Sequence, residues 1–331
     1  MNFENVLITV VALLLLAVPG FIFAKLKMFP EGASKAFSVM VLYGCQPVMI
    51  IVCFQKTAFD PALGLNMLYV FLLAVAVHAA MFALLFLCFR KAPKDDKTKI
   101  IKYAGSFSNC GFMGVPFLQA LFSGNAAQGE ILIYGAIVIA VFNVFNWTVG
   151  VFMMTGDIKQ VSLKKIALNP VIISVVIGFL LFVLIGKPIV SLAEEGTTMH
   201  TVLSRFMQTL NIISEAVTPL SLTVIGIKLA GVNLKKLFLD LKAYLAVLFK
   251  NIVMPLTAMF ATAFLPVDST VKYAVFFLLS MPAATGTTLF AVKFGADADF
   301  ASVCVILSTA LSVVSVPLLF LLMNGGLGVA I

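Results

Sequence analysis

An asparagine, Asn109, stands among Ser106, Ser108, Gly111, Gly114 and Pro116 inside an otherwise apolar run, 103–122. Its side chain both donates and accepts, so away from bulk water it can bind a carboxylate oxygen or cap the start of a helix. The two serine hydroxyls can add donors to such a site or turn back onto their own backbone. A second cluster, Pro282, Thr285, Gly286, Thr287 and Thr288, interrupts another apolar run at 271–293, with hydroxyls but no amide. Proline removes a backbone donor and clashes with the preceding turn, and each helical glycine costs about 1 kcal/mol. Both runs are therefore expected to be interrupted helices, over 105–116 and 281–288, with Gly114, Pro116 and Pro282 shaping the breaks rather than touching a ligand. The second half of a broken helix starts with unpaired N–H groups and a positive dipole end, which suits an anion.

Few titratable groups fall within apolar segments. Glu215 is one; a carboxylate in mid-bilayer costs at least about 2.5 kcal/mol on insertion scales, so it should face water or a partner, and it can serve proton coupling or lie near the outer interface. His78 is a proton-relay candidate with a helix–helix hydrogen bond as its plain alternative. Gln46, just before Pro47, can line a cavity or satisfy carbonyls freed by the proline. Asn143 and Asn146 lie three apart and share a helix face, where interhelical hydrogen bonding is expected. Trp147 reads as packing.

The elements that must hold these residues are set by composition. The chain is 62% hydrophobic and 11% charged, with a mean hydropathy of +1.13, far from the half-apolar, quarter-charged balance of soluble domains. The fold class expected is an all-α integral membrane protein in one unit. Ten apolar runs match a hydrocarbon core about 30 Å thick: 6–24, 33–53, 66–89, 98–122, 130–154, 166–185, 207–230, 241–265, 271–293 and 300–323. Five cysteines lie in apolar segments with no metal-binding spacing, and two histidines exclude a His-rich metal centre. The net charge of +8 is scattered in short groups between apolar runs, which argues for membrane orientation and against nucleic acid.

Orientation follows from those groups. Alternate loops hold Lys25, Lys27 and Lys35, the 90–102 cluster of Arg90 and five lysines, Lys159, Lys164 and Lys165, then Lys228, Lys235, Lys236 and Lys242, and finally Lys293. The opposite loops hold Lys56, Lys187, Arg205 and Lys272, and Lys250 is left near a span end. The bias places both termini outside the cytoplasm. A repeat is also visible: Pro47 and Pro219 are 172 residues apart, Ser108 and Pro282 are 174 apart. Five spans used twice, an odd number, imply an inverted repeat of 1–155 and 166–331 joined by the linker 156–165.

At 108–116, Ser-Asn-Cys-Gly-Phe-Met-Gly-Val-Pro, the chain resembles the auxin efflux carrier family, whose fourth span carries an asparagine followed by Gly-x-Pro. Glu215, Pro219, Gly226 and Leu229 in span seven are similar to the family's acid, proline and glycine pattern. So are Pro282 and Lys293 in span nine and Ser308, Thr309, Ser312 and Pro317 in span ten. The resemblance implies ten transmembrane helices as a 5+5 inverted repeat, with spans four and nine crossing at their breaks, as in bile-acid symporters. It also implies carriage of organic anions, auxin in plants and malate or malonate in bacteria. The chain departs from the plant pattern, in which proline precedes the polar residue at both breaks: Ser108 takes the first such place and Ala283 follows Pro282. Thr285, Thr287 or Thr288 would then replace the missing amide.

The expectation is a secondary transporter, not an enzyme, moving small mono- or dicarboxylates by alternating access. The binding residues would be Gln46, Ser106, Ser108, Asn109, Gly111, Thr285, Gly286, Thr287 and Thr288. The alternatives are a sodium-coupled carrier of larger amphipathic anions and an anion channel. No cofactor or metal is expected, only H+ or Na+ as coupling ion. The expected partners are the anion and the lipid bilayer of a bacterial inner membrane, with a homodimer left open.

Overall fold

The computed structural model describes residues 3–231, 240–263 and 265–326. Lys235 and Lys236 lie outside them. The main helices are α1 Phe3–Lys25, α2 Ala33–Phe54, α3 Pro61–Cys88, α4 Asp96–Ser106, α5 Cys110–Leu121, α6 Gln128–Thr155, α7 Pro170–Ile185, α8 Thr198–Gly231, α9 Leu241–Ala263, α10 Ser269–Ser280, α11 Gly286–Lys293 and α12 Ala298–Gly325. Among the described residues eight segments are long and apolar enough to cross a bilayer, while α5 and α10 are shorter apolar helices. The fourth expected span is filled by α4 and α5, the ninth by α10 and α11.

Local chemistry sets the helix starts. Asp60, Asp95, Asn169, Thr197, Asp240 and Asp268 each accept a bond from a backbone N–H in the first turn that follows, satisfying a donor the helix cannot. Pro61 and Pro170 occupy first positions, where no N–H is needed. One expectation is corrected here: α8 begins at Thr198, not 207. Its 34 residues make a rod about 51 Å long, so its polar first turns extend past a hydrocarbon core.

Four π-helical turns interrupt the long helices: Met40–Cys45, Cys110–Gly114, Asn146–Gly150 and Leu248–Val253. Three of them end one residue before an X-Pro pair, at Pro47, Pro116 and Pro255. A proline cannot donate and crowds the carbonyl four residues back, and widening the preceding turn relieves that clash. The fourth has no proline behind it.

Packing is closest between α1 and α8. A Cβ built on Gly226 would overlap the Ala17 carbonyl and lie 2.7 Å from the Phe21 nitrogen, and one on Gly20 would lie 2.5 Å from the Thr223 carbonyl. Glycine on both sides lets the two backbones touch, the usual route to tight association without a hydrophobic drive in lipid. The interior is filled by rings such as Phe117, Phe277 and Phe320, with centroids 5.1 and 5.4 Å apart. Outward-facing Leu180 and Leu184 of α7 present apolar surface suited to lipid.

Candidate functional site

The two helix breaks meet. Between α4 and α5 the chain is extended at Phe107, and between α10 and α11 it runs non-helically through 281–285. The Asn109 N–H donates to the Pro282 carbonyl at 2.7 Å, and the Ala284 N–H donates to the Phe107 carbonyl at 2.8 Å, so Ser108 and Ala283 face each other as an antiparallel bridge. Each break supplies the partner the other lost, which is how non-helical backbone survives at membrane depth. The first break is confined to 107–109. It is narrower than the 105–116 expected, because Gly114 and Pro116 are absorbed by the π-turn and the helix that follows. Pro282 lies within the second break.

Side chains satisfy most of what remains of the second break. Lys250 Nζ donates to the Leu279 carbonyl at 2.7 Å, and Ser108 Oγ donates to the same oxygen at 3.1 Å. The Ala283 N–H donates to Ser308 Oγ at 2.8 Å, Ser308 in turn donates to Asn251 Oδ1, and Asn251 Nδ2 returns a bond to the Ser308 carbonyl. Lys228 Nζ donates to the Thr285 carbonyl at 3.0 Å. Two ammonium groups therefore bracket residues 279–285, while the first break carries an amide instead. This corrects the expected placing of both lysines. Lys250, expected near a span end, is fully buried within α9, on a π-turn. Lys228, counted among loop cations, lies within α8 with its ammonium on the break.

Beside the crossing opens a cavity of about 120 Å³. Its polar walls are Gln46, Ser108, Asn109, Asn143, Asn146, Asn169 and Thr285, and its apolar walls include Phe112, Phe142, Trp147 and Phe290; no acidic residue lines it. Asn109 is buried, and its Nδ2 has no partner; Gln46 Oε1 is likewise unpaired. Gly111 permits this arrangement, since a Cβ there would sit 2.5 Å from Gln46 Nε2. Tyr103 donates to Asn146, and Asn169 Nδ2 donates to Asn143 Oδ1 at 3.2 Å, which fixes the orientation of the two α6 amides.

Of the residues singled out in the sequence, Gln46, Ser108, Asn109, Gly111, Thr285 and Gly286 are gathered around this cavity. Ser106 turns its hydroxyl to the Lys102 carbonyl at 2.7 Å, Thr287 to the Ala284 carbonyl at 2.7 Å, and Thr288 faces Ser302 of α12. His78 is fully buried away from the cavity, with Nδ1 2.7 Å from the Ala74 carbonyl and its ring stacked on Phe145. Glu215 is exposed, near the middle of α8. Sequence reasoning missed Asn143, Asn146 and Trp147 as cavity walls and the two lysines as neighbours of the break. The π-turns carrying Asn146 and Lys250 leave no compositional mark, apart from Pro255 after the second.

A helical chain with eight helices, among the described residues, long and apolar enough to cross a bilayer, and a polar cavity at two mutually bonded helix breaks, has the makings of an integral membrane transport protein. The comparisons agree. The family described as "Membrane transport protein" matches residues 5–160 and 154–320, and the chain belongs to this auxin efflux carrier-like family. It is a transporter and not an enzyme. Over 324 residues, 93% of each chain, it is 26% identical to a protein of Rhizobium meliloti (strain 1021) named "Putative malonate transporter".

Proposed function

We propose that the protein is a secondary transporter that carries small carboxylates by alternating access, with the anion held at the crossing by Asn109. The observation that carries this reading is Asn109, which lines a cavity free of acidic residues and whose buried Nδ2 has no partner. A carboxylate oxygen accepts from such a donor, and the nearby Lys228 and Lys250 ammoniums offset its charge in a medium that screens poorly. The name of the Rhizobium relative directs attention to malonate within the carboxylate class.

The same reading includes ten spans in two inverted halves, 1–155 and 166–331, joined by 156–165, with both termini outside the cytoplasm of a bacterial inner membrane. The crossing supports it. Shifting residue numbers by 175 turns the Asn109-to-Pro282 bond into the Ala284-to-Phe107 bond with donor and acceptor halves exchanged. Either H+ or Na+ as coupling ion fits this scheme, with His78 and Glu215 as the proton candidates.

Uptake of radiolabelled malonate, malate and indole acetate into proteoliposomes, with and without imposed proton and sodium gradients, tests the proposal. Saturable flux of a carboxylate is expected. Absence of flux for every carboxylate tried, or flux that never saturates, overturns it.

A further inference from the structure

The cavity at the crossing is not closed toward the linker. A second cavity of about 420 Å³ shares Tyr43, Trp147, Asn169 and Pro170 with it and is lined in addition by Ser162, Lys164, Lys165 and Leu168. The two cavities lie against the same four residues, one toward the crossing and the other toward the linker, with Trp147 lining both. No acidic side chain lines either cavity. The Lys293 ammonium sits over the Trp147 indole, 4.4 Å from the ring centroid. Trp147 in turn packs on Phe290, whose ring borders the inner cavity, at 5.3 Å.

Lys164 and Lys165 line the outer cavity and Lys293 sits over its Trp147 wall, with no acid in the lining, so the three make an unbalanced cationic patch beside low-dielectric walls. Such a patch concentrates anions and speeds their arrival. The resting position of Lys293 is informative. A cation over a partly buried aromatic ring is held by about 0.5–2 kcal/mol, less than a direct bond to an anion returns, so an arriving carboxylate can draw the ammonium off the indole. The ring would then be left as an apolar wall for the methylene part of the ligand.

We propose that Trp147, Lys293, Lys164 and Lys165 form a capture site for the carboxylate, separate from the crossing site and occupied before it. The inference rests on reading the cavity as a carboxylate path. It assigns to the first site the choice of charge and to Asn109 the retention of the anion for transport. Lys293 moves between the indole in the empty state and the carboxylate in the occupied one.

Trp147 is the only tryptophan in the 331 residues, so emission excited beyond the tyrosine band reports on ligand beside this ring, and Asn109→Ala separates the outer site from the crossing. The purified protein is titrated with malonate, malate and indole-free monocarboxylates, with dimethyl malonate as neutral control, at low and high salt. Trp147→Phe supplies the blank. A saturable emission change with a carboxylate and none with the neutral ester is expected. Lys293→Gln and the double variant Lys164→Gln/Lys165→Gln should each raise the half-saturation point and the uptake KM by about tenfold at low salt, the lower end of what charge focusing contributes, with the gap closing as salt rises. In Asn109→Ala the emission change should persist although uptake is lost.

No emission change with any carboxylate overturns the capture site. Loss of the emission change in Asn109→Ala also overturns it, because the signal then belongs to the crossing. Uptake measured on the same preparations separates the two proposals: flux without an emission response leaves the transporter reading standing, and absence of both removes each.

Discussion

Replacing Lys250 by methionine removes a buried charge while keeping a side chain of similar reach. The bond it loses ends on the Leu279 carbonyl, which retains the Ser108 hydroxyl at 3.1 Å, so no carbonyl is orphaned. Removing an ammonium from a dry interior also removes its desolvation cost, and such exchanges are often neutral or stabilising. The folded protein should therefore tolerate the change. Substrate binding should not. The two bonds to Leu279, laid end to end, put the ammonium within 5.8 Å of Ser108 Oγ, which lines the cavity. A carboxylate oxygen in the cavity beside Ser108 then sits about 8 Å from the Lys250 nitrogen. At an effective dielectric of about 20 that separation gives about 2 kcal/mol, or roughly 30-fold in affinity. Malonate binding by calorimetry and uptake KM in proteoliposomes should both weaken by up to that factor, the full value applying to the protonated lysine, with the melting temperature held or raised. Wild-type malonate affinity in Lys250→Met would refute the reasoning, and unfolding of the variant would show that the lysine is needed as a prop. Lys250→Arg, which keeps the charge in a bulkier head, should fall between the two.

Asn109→Ala should lose about 1.5–3 kcal/mol of binding, the worth of a bond to a charged group, while thermal stability stays close to wild type because the bridge uses its backbone N–H. Ser308→Ala strands the Ala283 N–H in a buried site and should cost about 1–3 kcal/mol of stability, read in a denaturation curve. Gly226→Ala drives a methyl into the backbone of α1, with an overpacking cost of about 1–3 kcal/mol and a lowered melting temperature. At the helix ends Asp95 pairs with Lys242 and Lys97 with Asp240. Bonds from Thr98 hold the Asp95 carboxyl below its ordinary value of 3.8, so its share of stability is present above that pH and lost as pH falls through the lowered value. Asp240 holds Lys97 above 10.5, so that share is lost only on strongly alkaline titration. Both pairs are partly exposed, so melting curves of Asp95→Asn should show less than about 1 kcal/mol of change at neutral pH.

The positions of the breaks were legible because proline, glycine and small polar residues have no reason to cluster inside an apolar run unless the helix stops there. The partners of those breaks were hidden for a different reason. Counting lysines between hydrophobic runs assigns Lys228 and Lys250 by their neighbours in sequence, yet both reach across to another element, 57 and 29 residues away. A side chain as long as lysine can leave its own helix and end on a carbonyl that only the folded chain brings near. The start of α8 was hidden because its first turns are amphipathic rather than apolar. The width of the first break was overestimated because a π-turn lets Gly111, Gly114 and Pro116 remain helical.

The reciprocal pair of backbone bonds at the crossing has a historical consequence. Main-chain groups are the same in every residue, so a half-length chain inserted in both orientations could make the same two bonds with a second copy of itself across a twofold axis. Side chains are different. One gene cannot place an asparagine in one copy and alanine, flanked by lysines, in the other. On the inverted-repeat reading, the division of labour between Asn109 on one break and Lys228 and Lys250 on the other could arise only after the two halves came to be encoded separately, as two genes or as one joined chain, and were free to diverge.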